Sequence, residues 1–274
     1  MRFTYYGVRG SVPTPGPSTI RLGGNTPCVA VWCGESLIIL DAGTGIRVLG
    51  DELMSGPFGE GKGRATLLVS HTHWDHIQGF PFFAPAYIHG NELRLLGSHT
   101  IHKGLETALH HQQQYQNFPV LLSQMPARMS FQALSEGEEL AMSGIKISAG
   151  ELHHPGGASG YRLDFNGHTL VYATDTEHYA NTDLRLMALC QGADVLIYDA
   201  TYTPQEYANH SGWGHSTWAE GIKLAKTARV KALHLFHHHP NHDDDFMEKV
   251  LEEARKHFPE TYLAREGWEV NLGK

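Results

Sequence analysis

The chain is organised around a histidine-rich turn, Ser70-His71-Thr72-His73-Trp74-Asp75-His76. The apolar run 66–69 before it predicts a buried strand, and Pro81 after it leaves room for only a short helix. Three imidazoles and a carboxylate are the ligand types that zinc and neighbouring divalent metals prefer, and a strand-to-helix turn can direct them at a small volume. The turn therefore predicts a metal site.

The ligand spacing within the turn suggests two ions. His71 and His73, two residues apart at a strand end, can share one ion, whereas Asp75 and His76 point past it toward a second. The chain has 20 histidines in 274 residues, so a solvated histidine-rich turn is the alternative interpretation. Further candidate ligands, each placed after a predicted strand, favour the metal site.

These further candidates lie in three later segments: His153 with His154, then Asp175, then His237 with His238 and His239. The residues alone leave alternatives open for each segment. The first pair could be solvated loop histidines, and Asp175 could cap a turn. The final histidine run does not by itself reveal which of its three members binds metal.

The pattern His-x-His-x-Asp-His after a buried strand resembles the signature of the metallo-β-lactamase superfamily, and further matches extend from residue 7 to residue 239. The resemblance implies an α/β fold, a four-layer αββα sandwich with a two-metal site at one edge of the paired sheets. His154 is preferred to His153 because it lies six residues before the pair Gly160-Tyr161. The implied ligands are His71, His73, His154 and Asp175 for one ion, and Asp75, His76, Asp175 and His237 for the other.

The same resemblance bears on the identity of the metal. His73 stands where the diiron branch of the superfamily has a glutamate, which favours two Zn²⁺ per chain, with Mn²⁺ as an alternative. Asp41 lies in the turn Asp41-Ala42-Gly43-Thr44-Gly45. It is expected to support the histidine-rich turn 70–76, called the metal turn below, without binding an ion.

A second set of segments resembles ribonuclease Z and its small or cyclic-nucleotide phosphodiesterase relatives. Asp199-Ala200-Thr201-Tyr202 is similar to their Glu-Ala-Thr-Phe element, although Asp199 replaces the glutamate, and His215-Ser216-Thr217 matches their His-Ser-Thr element. The resemblance implies that His215 acts near the scissile phosphate. We therefore expect Asp75 and His215 to be catalytic. Candidate substrate contacts are Arg9, Ser11, Ser216 and Thr217, although Ser216 could serve only as a helix cap.

Composition limits the organisation and partners of the chain. No Pro/Gly/Ser-rich linker divides it, so 1–274 is expected to form one domain, with a lid or dimer-contact excursion at about 98–130. No apolar run approaches the roughly 18 to 20 residues of a membrane span, and the first residues read as a strand, which predicts a cytoplasmic protein. A formal charge of −8 makes long nucleic acid an unlikely partner. Three cysteines indicate neither a disulfide framework nor a zinc knuckle.

Sequence patterns also predict secondary structure around the candidate ligands. Strands are expected at 2–8, 28–33, 36–40, 93–96, 145–148, 161–165, 170–173, 195–198 and 232–236, and helices at 101–115, 182–190, 217–228 and 243–257. Runs of strands followed by helices fit two stacked sheets with helices outside.

The function expected from the resemblance is hydrolysis of a small or cyclic nucleotide phosphodiester by metal-bound hydroxide, in an enzyme that is usually a homodimer. An RNA-processing nuclease is less favoured, because only 21 positions separate His154 from Asp175 and the tRNA-binding arm of ribonuclease Z has no room there. A lactonase or thioesterase is a further alternative. It would share the metal ligands but would not need Asp199 or His215.

Overall fold

The computed structural model describes residues 1–134, 136–180 and 183–273. Within these residues, two seven-stranded mixed sheets contain the strands numbered here in chain order. The first sheet has the order β14-β1-β2-β3-β4-β5-β6 and the second β13-β12-β11-β10-β9-β8-β7. The strands are β1 Arg2–Gly7, β2 Cys28–Cys33, β3 Ser36–Leu40, β4 Arg64–Leu68, β5 Glu92–Gly97, β6 Arg128–Ala133, β7 Glu139–Met142, β8 Ile145–Leu152, β9 Ala158–Phe165, β10 His168–Ala173, β11 Val195–Asp199, β12 Ala232–Phe236, β13 Thr261–Leu263 and β14 Glu269–Asn271.

The two sheets share an apolar core. Alternate residues of β3 show how it forms: Ile38 and Leu40 pack among residues of both sheets, whereas Ile39 packs with residues of the first outer helical layer. Successive side chains of a strand point to opposite faces, so a strand covered on both faces reads as a continuous apolar run. The run Leu37-Ile38-Ile39-Leu40 is such a strand.

Helices form the two outer layers. In chain order they are α1 Gly45–Leu53, α2 Trp74–Ile77, α3 His99–Gln112, α4 Leu184–Cys190, α5 Pro204–Tyr207, α6 Trp218–Thr227 and α7 Asp244–His257. Helices α1 and α3 pack on the first sheet, and α4, α6 and α7 pack on the second. The predicted αββα sandwich is confirmed. Of the predicted helix 182–190, residue 182 lies outside the described residues.

Segment 98–130, predicted as a lid or dimer contact, contains the crossover helix between the parallel strands β5 and β6. Leu105 and Leu109 of α3 are buried against the first sheet. The helix therefore belongs to the core of the domain, which corrects the interpretation of the whole segment as an excursion. His110 and His111 of α3 lie on the surface, and a dimer contact through the exposed residues stays a prediction.

Strand direction brings the candidate ligands to one edge. β3 and β4 are parallel, as are β10, β11 and β12, so the carboxyl ends within each group lie at the same edge. The metal turn follows β4, Asp175 follows β10, and His237 follows β12. Among the helices of the described residues, none combines the length and apolar composition needed to cross a bilayer.

Candidate metal centre

The metal turn is held by a buried carboxylate at the end of β3, the strand that lies beside β4 in the first sheet. Asp41 follows β3, and its Oδ1 accepts the backbone N–H of Ser70 at 2.7 Å while its Oδ2 accepts the Ser70 hydroxyl at 2.8 Å. Beyond this anchor the chain is extended at His73 and then enters α2, whose first turn carries Asp75. The local fold therefore directs successive polar side chains of the turn into the edge of the sandwich.

Seven side chains from four segments form two groups that share one carboxylate. In each group the candidate ligand atoms lie within 4.8 Å of one another. The first group is His71, His73, His154 and Asp175, and the second is Asp75, His76, Asp175 and His237.

Asp175 is placed to bridge the two groups. Its Oδ2 lies 3.6 Å from His71 Nε2 and 3.7 Å from His154 Nε2. Its Oδ1 lies 3.2 Å from both His76 Nε2 and His237 Nε2. One carboxylate oxygen therefore faces each group.

The donor atoms fit divalent ions. Among the described residues, the buried Nε2 atom of His71 has no hydrogen-bond partner, although burial without a partner is costly for a polar atom. One group offers three imidazole nitrogens and a carboxylate, and the other offers two of each, which are donor sets that zinc accepts. His73 is exposed and the second group is buried, so the centre opens to solvent on the His73 side.

The local charges favour the ligand forms of Asp75, Asp175 and His71. Burial lowers the pKa of His76, but the same two carboxylates outweigh it and raise this pKa, so His76 must lose its proton when an ion binds. Burial alone would raise the pKa of Asp75 and Asp175, but the neighbouring imidazoles outweigh it and hold both pKa values well below the usual range. Burial, together with the nearby His76, lowers the pKa of His71. Two ionised carboxylates and a neutral His71 are the protonation states that metal binding needs.

Contacts outside the groups orient the ligand rings. Asp41 Oδ2 lies 2.7 Å from His76 Nδ1 and also accepts the Tyr172 hydroxyl at 2.7 Å, so Asp41 supports the turn, as predicted. The Thr201 hydroxyl lies 3.0 Å from His237 Nδ1. In each ring, engagement of Nδ1 leaves Nε2 available for an ion.

Asp41→Asn is expected to weaken zinc binding at the second group by about 10- to 100-fold, the usual effect of losing a ligand-orienting contact. The amide has one acceptor oxygen for the four donors that share the carboxylate in wild type. Chelator competition with the metal-free protein measures the change. Asp164→Asn is a control, because Asp164 pairs with Arg162 and Thr169 on β9 and β10. Equal zinc affinity in wild type and Asp41→Asn would contradict this role.

The structure separates the neighbouring histidines of the third segment. His154 Nδ1 donates to the Gly214 carbonyl at 2.8 Å, and its Nε2 lies 3.0 Å from His73 Nδ1 within the first group. His153 instead lies 3.0 Å from Asp183 and packs its ring against Tyr179.

A similar separation holds after β12. His237 lies in the second group, whereas the ring of the buried His238 contacts the Ala264 carbonyl through Nε2 at 2.8 Å. The ring of His239 packs near Tyr202 and His242.

A histidine–carboxylate pair stands beside both groups. His215 Nδ1 lies 2.9 Å from Asp199 Oδ2. Burial lowers the pKa of His215, but Asp199 more than offsets this effect and raises the pKa to about 9. The His215 ring lies 4.9 Å from that of His237 and 5.4 Å from that of His154. A cationic imidazole can therefore act close to both groups, and aspartate in place of glutamate still forms the pair.

The expectation that Arg9 contacts substrate is wrong. Its side chain is fully buried, with Nε donating to the Gly23 carbonyl at 2.8 Å and Nη1 to the His242 carbonyl at 2.6 Å. Nη2 lies 3.3 Å from Asp244. Arg9 joins the first loop to the start of α7, and each of its three side-chain nitrogens makes a contact inside the protein.

Ser216 and Thr217 are also misassigned as substrate contacts. Ser216 is buried, accepts the Tyr198 hydroxyl at 3.0 Å and lies 2.9 Å from His178 Nδ1. The cap of α6 is Thr217 and not Ser216, because the Thr217 hydroxyl accepts the Glu220 N–H at 3.3 Å. Both residues shape the start of α6 behind His215.

The first loop does reach the centre, through its backbone. The Ser11 N–H donates to Asp75 Oδ2 at 2.7 Å, while the Ser11 side chain is exposed. A Cβ on Gly10 would lie 2.3 Å from His237 Nδ1, so only glycine allows this close approach. Ser11 thus remains a candidate substrate contact.

Comparison with known proteins agrees with this geometry. A family model described as a beta-lactamase superfamily domain matches residues 37–238. Ribonuclease Z of Brevibacillus brevis is 33% identical over 149 residues, which cover 51% of this chain and only 42% of that protein. Ribonuclease Z of Thermoplasma acidophilum is 25% identical over 315 residues, 99% of this chain and 96% of that one.

The fold also has solved counterparts. The crystal structure of the metallo-beta-lactamase fold protein YhfI from Bacillus subtilis superposes with a TM-score of 0.72 at 19% identity, over 98% of both chains. The family predicted from the metal turn is confirmed: the chain belongs to the beta-lactamase superfamily and has the metallo-β-lactamase fold.

Proposed function

We propose that this protein is a metal-dependent hydrolase that cleaves a phosphodiester bond in a small or cyclic nucleotide, with two Zn²⁺ per chain. The observation that carries the proposal is the His215–Asp199 pair beside two ligand groups that share Asp175. A carboxylic ester or lactone requires the metal ligands but has no evident need for this pair.

When bound, the ions lower the pKa of an attacking water and offset the negative charge of a phosphodiester. The side chains of the protein hold the ions and the attacking water in position. Asp175 sets the separation of the two groups, and Asp75, held by the Ser11 N–H, is assigned to orient the water.

His215 is assigned to the leaving group. The Asp199 carboxylate holds the ring through Nδ1 and keeps it protonated, so Nε2–H can donate to the departing oxygen. The same cation can stabilise charge on the phosphorus-bound oxygens in the transition state. His215 thus supplies a proton where a poor leaving group needs one.

An RNA-processing nuclease is the second candidate, and it is favoured by the relatives named ribonuclease Z. Against it stand the formal charge of −8 and the 21 positions between His154 and Asp175. Long nucleic acid gains much of its affinity from Lys and Arg on phosphates, which this composition does not favour. A homodimer, a cytoplasmic location and Mn²⁺ as an alternative metal stay predictions.

A substrate panel with the zinc-loaded protein tests this assignment. Cyclic mononucleotides, cyclic dinucleotides and bis-p-nitrophenyl phosphate are expected to turn over orders of magnitude faster than p-nitrophenyl phosphate or a lactone. A monoester brings a second negative charge, and a lactone brings no charge for the site to offset. Precursor tRNA in the same panel tests the nuclease. Lactone turnover comparable to that of the diesters would place the protein among lactonases.

A further inference from the structure

Glu177 is a buried carboxylate two residues after the bridging Asp175, in the turn that follows β10. Its Oε1 accepts the Gly212 N–H at 2.6 Å and the Tyr207 hydroxyl at 2.9 Å. Its Oε2 accepts the Gly214 N–H at 3.0 Å. The Glu177 side chain therefore fixes the backbone on both sides of residue 213.

The backbone fixed in this way carries two functional groups. The Gly214 carbonyl accepts the Nδ1–H of His154, and His215 is the next residue. Gly214 has a φ of +84°, and a Cβ there would lie 2.3 Å from His154 Nδ1. The 212–214 loop therefore approaches His154 so closely that a small shift of the loop must move the ring or break its hydrogen bond.

The backbone of Glu177 completes the connection. Its N–H donates to the His153 carbonyl at 2.6 Å, so one residue joins the segments that bear His154, Asp175 and His215. Hydrogen bonds to a charged acceptor are roughly twice as strong as neutral ones. No ligand atom of either metal group comes from Glu177 itself.

We propose that Glu177 is a positioning residue that sets the orientation of His154 toward the first ion and the placement of His215 toward the substrate. It acts through the Gly212 and Gly214 amides. The part of the proposal that concerns His215 rests on the proposed phosphodiesterase function, whereas the part that concerns His154 requires only metal binding.

The first experiment uses no substrate. Glu177→Gln keeps the shape of the side chain but gives up one of the two carboxylate acceptors, so we expect about 10-fold weaker zinc binding at the first group in chelator competition. Asp194→Asn is the matched control, because Asp194 Oδ2 also accepts a backbone N–H, that of Thr169 at 2.7 Å, but has no bond to the ligand segments. Unchanged zinc affinity in Glu177→Gln, or an equal loss in the control, would overturn the proposal.

The second experiment is a double-mutant cycle at saturating zinc. Glu177→Gln is expected to lower kcat by about 10- to 100-fold, because a catalytic group is misplaced. In the His215→Ala background the same change is expected to have little further effect on kcat, since the group it positions is gone. Equal losses in the two backgrounds would show a general structural role and refute positioning of His215. A wild type without phosphodiesterase activity would refute the proposed function but leave the zinc result standing.

Tyr207→Phe provides a milder variant if Glu177→Gln does not fold. It removes one hydroxyl donated to Glu177 and retains the ring. Zinc affinity is expected to fall in the same direction by a smaller factor, with thermal unfolding used to check the fold. An unchanged zinc affinity in a folded Tyr207→Phe, alongside an unfolded Glu177→Gln, would assign Glu177 to fold stability and contradict the proposal.

Discussion

Asp175→Ala is expected to abolish phosphodiesterase activity and to remove both ions from the protein. The substitution removes the one carboxylate that both ligand groups share. The remaining ligands of the two groups are then no longer linked by a common anionic side chain. Elemental analysis after zinc reconstitution measures the effect. We expect about two ions per chain in wild type and substantially fewer than one in the variant.

Asp75→Ala is the matched comparison, because Asp75 belongs to the second group and has no place in the first. It is expected to retain about one ion per chain and to lose activity. If Asp175 bridges the two groups, the Asp175→Ala and Asp75→Ala variants therefore bind different numbers of ions. Retention of two ions by Asp175→Ala would contradict the bridging role.

His215→Ala is expected to lower kcat by roughly 10²- to 10⁴-fold, the range for losing one positioned acid or oxyanion donor. Metal content should change little, because His215 is absent from the seven-ligand set, and the fold should be retained because Thr217 still caps α6. The loss should be smaller for bis-p-nitrophenyl phosphate, whose leaving group scarcely needs a proton. An unchanged kcat on a cyclic nucleotide would reduce His215 to a structural residue.

The pH dependence of kcat tests the protonation of His215 separately. A pKa raised to about 9 keeps the ring cationic at neutral pH, so activity should fall as the pH rises through the pKa of His215. Bound cations oppose the imidazolium charge, which places this fall at or below pH 9. Asp199→Asn removes the main stabilising charge and should move the fall to lower pH, whereas His215→Ala should lack it. An identical alkaline profile in all three proteins would contradict the assignment.

The sequence predicts the centre of the fold better than its edges. Buried parallel strands such as β4 and β12 read as mostly apolar segments, and their ends locate the ligands. Strands β6, β7, β13 and β14 and helices α1 and α5 were not predicted. The edge strands β13 and β14 have three residues each, and β14 pairs with β1 from the far end of the chain, which local patterns do not encode.

Among the residues around the ligands, those with a local sequence signal could be predicted and those with distant partners could not. Spacing to Gly160-Tyr161 selects His154, because the spacing is a property of the local sequence. Arg9 was misassigned because its partner Asp244 lies 235 positions away, so its burial appears only in three dimensions. Glu177 was missed for the same reason, since no local pattern distinguishes it from an ordinary turn carboxylate.

Titration of the metal-free protein with Zn²⁺, with cyclic-nucleotide hydrolysis assayed at each step, tests the central claim most directly. Asp175 contributes one oxygen to each ligand group, and the proposed reaction uses both ions. We predict that binding saturates at about two equivalents per chain and that phosphodiesterase activity rises mainly with the second equivalent. Saturation of binding and activity at one equivalent, or the absence of any phosphodiesterase activity at two, would contradict a dinuclear phosphodiesterase.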